Sequence, residues 1–229
     1  MTPISSTTIS DAFHKLDPKP STGGYLPDLH SFTGSQTLSA PVFPIKFVYK
    51  DSGTAPLRQH FVDLCPEGHI LLLCPPEDST NACFGGLLAT AAAAQSVAGV
   101  VANGRVRDLD ELEDSGLTVS SAFLLLNIHI LNYFKIFAKG TSVCGQAPFL
   151  APVSAGETVE ITHPNGHKIT IKSGDQLFAD RNGVIVVDST RMNEIEAIAA
   201  KSEQTDELCR QALAKGDSVK EVFAKYRGK

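Results

Sequence analysis

The amino-acid sequence predicts an α/β protein with a βαβ core unit, and three consecutive segments lead to this prediction. Residues 69–74 (HILLLC) form a continuous apolar run, as expected of a strand buried on both faces. The alanine-rich stretch 87–97 has the composition of a helix, because alanine has the highest helix propensity. A second apolar strand follows at 99–102. Together they predict two parallel strands joined by a right-handed crossover.

The N-terminal region supplies one helix and one strand. Residues 4–16 are predicted to form a short helix, since Phe13 and Leu16 recur at helical spacing. The loop 17–29 is rich in Pro and Gly and ends that helix. Residues 42–49 then have the composition of a strand, in which Pro44 indicates an edge or a bulge.

The C-terminal half changes character. Alternating apolar residues on either side of Asn165-Gly166 predict a hairpin with a type I′ turn. The run 184–187 (VIVV) predicts another buried strand, and the chain becomes helical from residue 190. Because no repeat or low-complexity linker interrupts the sequence, we expect a single domain over 1–229 with a C-terminal helical extension over 190–229.

Composition narrows the classes of function. The chain has 229 residues and a net charge of -5 without a basic run, which argues against a nucleic-acid partner. Five cysteines without CxxC spacing predict free thiols in a reducing compartment. The N-terminus lacks the features of a secretory signal, and the apolar segment 122–131 is too short and polar to span a membrane. We therefore expect a cytoplasmic protein without a membrane partner.

The stretch from Gly85 to Asp108 contains the main candidate groups for binding a ligand. Its helix begins with free backbone N–H groups that suit an anion, and its strand ends in a guanidinium and a carboxylate, Arg107 and Asp108. Both ends are predicted at the carboxyl edge of the parallel sheet, where ligands bind. The alternatives are a surface ion pair for Arg107 and Asp108 and a tight turn for the glycines. The acidic run 110–114 is interpreted as a solvated helix face.

Several phrases resemble the RraA-like family over nearly the whole chain. They are the pattern G-G-x-L-x-x-x-A-A followed by G-V-V-x-x-G-x-V-R-D, the phrase IFAKGTS at 136–142, and GDQLFADRNGVIVV at 174–187. Within the family the sequence is most similar to the 4-hydroxy-4-methyl-2-oxoglutarate aldolases with oxaloacetate decarboxylase activity. The resemblance implies an α/β sandwich that assembles as a homotrimer or hexamer and binds Mg²⁺ or Mn²⁺ between subunits.

The resemblance also implies roles for individual residues. Asp108 would be the metal-binding carboxylate, with water completing the coordination. Arg107 would hold the carboxylate of the pyruvyl group, and the backbone N–H groups of Gly86, Leu87 and Leu88 would bind the same end of the substrate. Cleavage of a C–C bond would leave a pyruvate enolate that the cation stabilises.

The chain departs from the family pattern in two places. Many members carry an Asp at the position of Gly86, where it helps to deprotonate the substrate hydroxyl, so the sequence does not identify the base for aldol cleavage, which a neighbouring subunit could supply. Residues 119–135 form an atypical insertion, because removing them joins 116–118 to 136–140 in a family-like phrase. We interpret the insertion as a retained intron. The alternative is a genuine surface loop or contact helix.

The sequence thus predicts a class II, metal-dependent pyruvate aldolase and oxaloacetate decarboxylase that acts on a small 2-oxo acid. One alternative is a non-catalytic RraA-like protein that binds and regulates a partner. Another is a lyase recruited to a biosynthetic pathway with a different 2-oxo acid.

Overall fold

A computed structural model of the protein describes residues 4–16, 23–33, 37–115 and 134–228. The described part contains both strands and helices. The strands are β1 (Tyr25–Leu26), β2 (His30–Ser31), β3 (Leu38–Tyr49), β4 (Ile70–Cys74), β5 (Ala82–Phe84), β6 (Gly99–Val106), β7 (Lys135–Thr141), β8 (Leu150–Ala155), β9 (Val159–Thr162), β10 (Lys168–Ile171), β11 (Gln176–Asp180) and β12 (Gly183–Val187). The helices are α1 (Ser6–Leu16), α2 (Phe61–Leu64), α3 (Gly86–Ala94), α4 (Leu109–Asp114), α5 (Met192–Ala214) and α6 (Val219–Arg227).

The central sheet is mixed, and its middle is parallel. Its strand order is β1-β12-β11-β3-β4-β6-β7-β2, with β8 paired to β3 and the short β5 paired to β6. Strands β3, β4, β6 and β7 run parallel to one another, and Leu71 of β4 lies opposite Val100 of β6. Since α3 connects β4 to β6, the predicted βαβ unit and α/β fold class are confirmed.

Strand β4 divides the core into two layers. Leu71 and Leu73 pack on one face, together with α3 residues such as Ala89. Ile70 and Leu72 pack on the opposite face, against the inner residues of the β9–β10 hairpin. Because successive side chains of a strand point to opposite faces, burial on both faces requires the continuous apolar run seen in the sequence.

The two terminal helical segments share a third apolar cluster. Ile9 of α1 and Ile195 of α5 are buried together against strands β11 and β12. Asp180, at the end of β11, ties α1 to the sheet by accepting hydrogen bonds from the backbone N–H and the hydroxyl of Ser6 at 2.8 and 2.7 Å. Ser218 caps the last helix, because its Oγ accepts a hydrogen bond from the N–H of Glu221.

The hairpin at Asn165-Gly166 is present, but its predicted type I′ turn is wrong. That turn needs positive φ at both central residues, and here only Gly166 has it, at +85°. Pro164 explains the difference, since its ring fixes φ near −65° and favours the second position of a type I turn. The Gly166 N–H accordingly donates to the carbonyl of His163 at 2.8 Å, and the loop spans 163–167.

The proposed insertion falls largely outside the described residues. Of the segment 119–135, the structure describes only Phe134, which is buried, and Lys135, which begins β7. Within the described residues, no helix combines the length and apolar character needed to cross a membrane. The five cysteines are free thiols, and all except Cys144 are buried.

Candidate active site

Strand β5 places the start of α3 beside the end of β6. Phe84 lies opposite Val106 in the parallel ladder, and its carbonyl accepts a hydrogen bond from the N–H of Arg107 at 3.1 Å. The chain then leaves β5 at Gly85, while β6 continues into Asp108. The predicted meeting of the glycine pair with Arg107 and Asp108 follows directly from this pairing.

Asp108 has an unusual backbone. Its φ and ψ are 58° and 51°, the left-handed region that few residues other than Gly, Asn and Asp adopt. Its Oδ2 accepts a hydrogen bond from the Gly86 N–H at 3.3 Å and lies 2.6 Å from where a Cβ on Gly85 would stand. Backbone strain of this kind clusters at functional sites, and here it accompanies a carboxylate held at a helix start.

Arg107 extends across the corner that Gly85, Gly86 and Asp108 form. Its Nε lies 3.3 Å from Asp108 Oδ2, and its Nη1 lies 2.6 Å from where a Cβ on Gly145 would stand. The two side chains are 47% and 37% exposed, so their ion pair contributes little to stability. Arg107 and Asp108 therefore form the surface ion pair that was the alternative interpretation. Both side chains are nevertheless exposed enough to contact a ligand.

The three predicted amide donors are not equivalent. The Gly86 N–H is directed to Asp108, and the Leu88 N–H donates to the Gly85 carbonyl at 3.0 Å. Among the described residues, the Leu87 N–H has no hydrogen-bond partner. At the start of a helix such an amide is available to an anion.

Glu111 is a site residue that the sequence reasoning missed. It belongs to the acidic run interpreted as a solvated face, and the side chain is exposed. Nevertheless, its Cδ lies 2.7 Å from where a Cβ on Gly86 would stand, with Oε2 and Cβ of Glu111 closer still. The available signal was a glycine at a position where the family often carries Asp, followed 25 positions later by Glu111 within an acidic run.

The donors at this corner fit a hard divalent cation held largely by water. Within the described residues, no group of three or more His, Cys, Asp or Glu side chains is arranged to hold a metal ion. Magnesium does not require such a group, because it keeps several waters and often binds through one or two carboxylates. Asp108 supplies oxygen donors of that type, and no soft thiolate or imidazole lies among the contacts described above.

Two buried thiols near this corner, those of Cys83 and Cys74, are not suited to nucleophilic chemistry. Burial raises the pKa of Cys83, in β5, to about 12 and that of Cys74, in β4, to about 12 as well. Thiols with such values remain protonated at neutral pH, and the thiol form is a poor nucleophile. Neither of these two buried thiols therefore adds a nucleophile to the guanidinium, carboxylates and backbone amides of this corner.

Comparison with known proteins identifies the family to which this chain is similar. The RraA-like family (Aldolase/RraA) matches residues 6–186. The chain is 23% identical to Protein DlpA of Legionella pneumophila over 223 residues, 96% of this chain and 32% of that protein. It is 30% identical over 125 residues to a protein of Ectopseudomonas mendocina named "Putative 4-hydroxy-4-methyl-2-oxoglutarate aldolase", 55% of this chain and 63% of that one.

A solved structure supports the fold. RraAS2 of Streptomyces coelicolor, described as an unusual member of the RNase ES inhibitor RraA protein family, superimposes with a TM-score of 0.65 at 21% identity. The alignment covers 90% of this chain and 91% of RraAS2. The chain spans about a third of the length of the Legionella relative and just under two thirds of the Ectopseudomonas relative. Since the family matches most of the chain, this protein belongs to the RraA-like (Aldolase/RraA) family.

Proposed function

We propose that this protein is a divalent-metal-dependent lyase that releases pyruvate from small 2-oxo acids. Its substrates would be compounds of the 4-hydroxy-4-methyl-2-oxoglutarate type, which it cleaves, and oxaloacetate, which it decarboxylates. The observation that carries the proposal is the convergence of Arg107 and Asp108 on the glycine pair Gly85-Gly86 at the start of α3. The partial similarity to a protein with an aldolase name is consistent with it.

Each group at the corner has a distinct task. Arg107 offers a planar pair of N–H donors to the substrate carboxylate, and the Leu87 N–H adds a donor at the positive end of the α3 dipole. Asp108 holds the cation, and the Gly86 N–H fixes the orientation of that carboxylate. A bound Mg²⁺ or Mn²⁺ would supply positive charge where an enolate oxygen develops negative charge. Both reactions pass through the same pyruvate enolate, so one site serves both.

A second copy of this chain is the partner we propose beside the site. Leu87 is 83% exposed and Val143 is 96% exposed, and both flank the corner: Leu87 follows Gly86, and Val143 lies in the loop that reaches Arg107 through Gly145. Apolar side chains so exposed around a polar site are typical of an interface. We therefore propose a homotrimer or hexamer in which the neighbouring subunit covers the rim of the site, formed by Leu87 and Val143.

The test is release of pyruvate from oxaloacetate with Mg²⁺, with Mn²⁺ and with EDTA. Asp108→Asn is the decisive variant, because Asn tolerates the left-handed backbone and removes only the negative charge. We expect metal-dependent turnover in the wild type and its loss in Asp108→Asn. Asp110→Asn is the matched control, since Asp110 carries the same charge on the exposed face of α4, and it should retain wild-type turnover.

The result also separates the enzyme from a non-catalytic binding protein. If a folded oligomer released no pyruvate from any 2-oxo acid of a small panel under either metal, the lyase proposal would fail and a binding role would replace it. Turnover equally strong in Asp108→Asn would contradict the assignment of the cation to this carboxylate.

A further inference from the structure

The side chain missing at position 86 is replaced in space by Glu111. The Cδ of Glu111 lies 2.7 Å from where a Cβ on Gly86 would stand, so any side chain there would displace the glutamate. The φ of Gly86 is not in the left-handed region, so the backbone itself does not call for glycine. Gly86 and Glu111 are therefore a coupled pair, in which the absence of one side chain makes room for the other.

Two carboxylates consequently reach the same corner, and their environments differ. Asp108 is held by the N–H of Gly86 and by the guanidinium of Arg107. Within the described parts of the chain, the Glu111 carboxylate makes neither a hydrogen bond nor an ion pair with another residue. The Asp108 carboxylate is thus held by a backbone N–H and a guanidinium, whereas the exposed Glu111 carboxylate is open to contact with a substrate hydroxyl.

Of the two proposed reactions, only aldol cleavage requires a carboxylate that acts as a base. Aldol cleavage removes a proton from the substrate hydroxyl as that oxygen becomes a carbonyl. Decarboxylation of oxaloacetate breaks a C–C bond with loss of CO₂ and removes no hydroxyl proton, and the resulting enolate takes its proton from water. A general base is therefore required for cleavage and not for decarboxylation.

We propose that Glu111 is the general base for aldol cleavage, an inference that rests on the proposed lyase function. A Glu111 carboxylate oxygen bonds to the hydroxyl hydrogen, and the O–H electron pair forms the new C=O bond. The C–C bond breaks, and its electron pair becomes the pyruvate enolate. The protonated Glu111 then gives its proton to the enolate methylene carbon, which yields the methyl group of pyruvate and restores the carboxylate.

The test compares the two reactions in Glu111→Gln, which preserves shape and removes the base. We expect kcat for cleavage of 4-hydroxy-4-methyl-2-oxoglutarate to fall by at least ~100-fold. The rate of oxaloacetate decarboxylation should stay within about twofold, because that reaction needs no base. Glu113→Gln is the matched control on the same helix and should leave both rates unchanged. Oxalate, a planar mimic of the enolate, should bind wild type and Glu111→Gln equally by calorimetry with Mn²⁺.

A swap tests the spatial pairing. Glu111→Gly should lose cleavage, and Gly86→Asp in that background should recover at least about tenfold, because removal of the whole Glu111 side chain, including its Cβ, leaves space for the Asp side chain. Equal losses of cleavage and decarboxylation in Glu111→Gln, or unchanged cleavage, would overturn the assignment of the base. In either case an Asp108-dependent decarboxylation would leave the lyase proposal standing. Absence of any metal-dependent turnover in the wild type would overturn both.

Discussion

Adding a single methyl group at Gly85 should disable the site while leaving the fold intact. Gly85 has φ and ψ of −160° and −176°, an extended backbone that alanine adopts without strain. Its new Cβ would lie 2.6 Å from Asp108 Oδ2 and 3.1 Å from Arg107 Cγ. To restore an ordinary contact of 3.4 Å, the Asp108 carboxylate must retreat by about 0.8 Å.

The size of the effect follows from that displacement. A misplacement of about 1 Å in a reacting group costs up to ~100-fold in rate. We therefore expect kcat/KM for oxaloacetate in Gly85→Ala to fall by about 10- to 100-fold, or roughly 1.4–2.7 kcal/mol. The free energy of unfolding should change by less than about 1 kcal/mol, because Asp108 and Arg107 are exposed enough to move.

The assay is metal-dependent pyruvate release, with urea unfolding of the same preparations. Gly140→Ala is the matched control: its Cβ would lie 3.1 Å from Nη1 of Arg105, the movable end of an exposed side chain, and away from Asp108. Wild-type kcat/KM in Gly85→Ala would refute the reasoning. So would an equal loss of activity in Gly140→Ala.

Three further predictions concern the rest of the molecule. Burial acts to raise the pKa of Asp180, but hydrogen bonds from Ser6 and Asn182 hold it below the usual 3.8. The stabilisation that Asp180 gives the folded state is therefore present above pH 3.8 and is lost as the pH falls through the lower pKa of the folded protein. Asp180→Asn should accordingly cost about 1 kcal/mol in urea unfolding at pH 7 and less at pH 3, and a constant cost would contradict this. Iodoacetamide should label only Cys144 in the native protein and all five cysteines in urea, by mass spectrometry. Val143→Asp should shift the oligomer toward monomer in light scattering with unchanged circular dichroism; an unaltered mass would count against the proposed rim.

The sequence predicted the parts of the fold that depend on local pattern. The buried strand β4 and the alanine-rich α3 were both recognisable, and with the strand at 99–102 they predicted a parallel βαβ unit; the register that sets Leu71 opposite Val100 comes from the structure. The pairing of β8 with β3 and of β12 with β1 was not predictable, because it joins segments more than 100 residues apart. Nothing local to those strands specifies their partners.

At the candidate site, too, only features that depend on local sequence could be predicted. The meeting of Gly85 with Asp108 could be predicted because the carboxyl ends of neighbouring parallel strands share one edge. The left-handed backbone of Asp108 and the position of Glu111 could not, because both depend on how α4 folds back over α3. An acidic run on a short helix has no periodicity that distinguishes a glutamate over a glycine from one facing solvent.

All the groups proposed for chemistry come from one stretch, residues 85–111, and their side chains lie on the surface of the sheet rather than in its core. Replacing them removes little buried apolar contact, so the scaffold tolerates their loss. The architecture and the proposed activity are therefore separable properties of this chain. A protein with the same arrangement of strands can be catalytically silent, and a handful of surface positions, not the resemblance in shape, indicates which proteins retain a reaction.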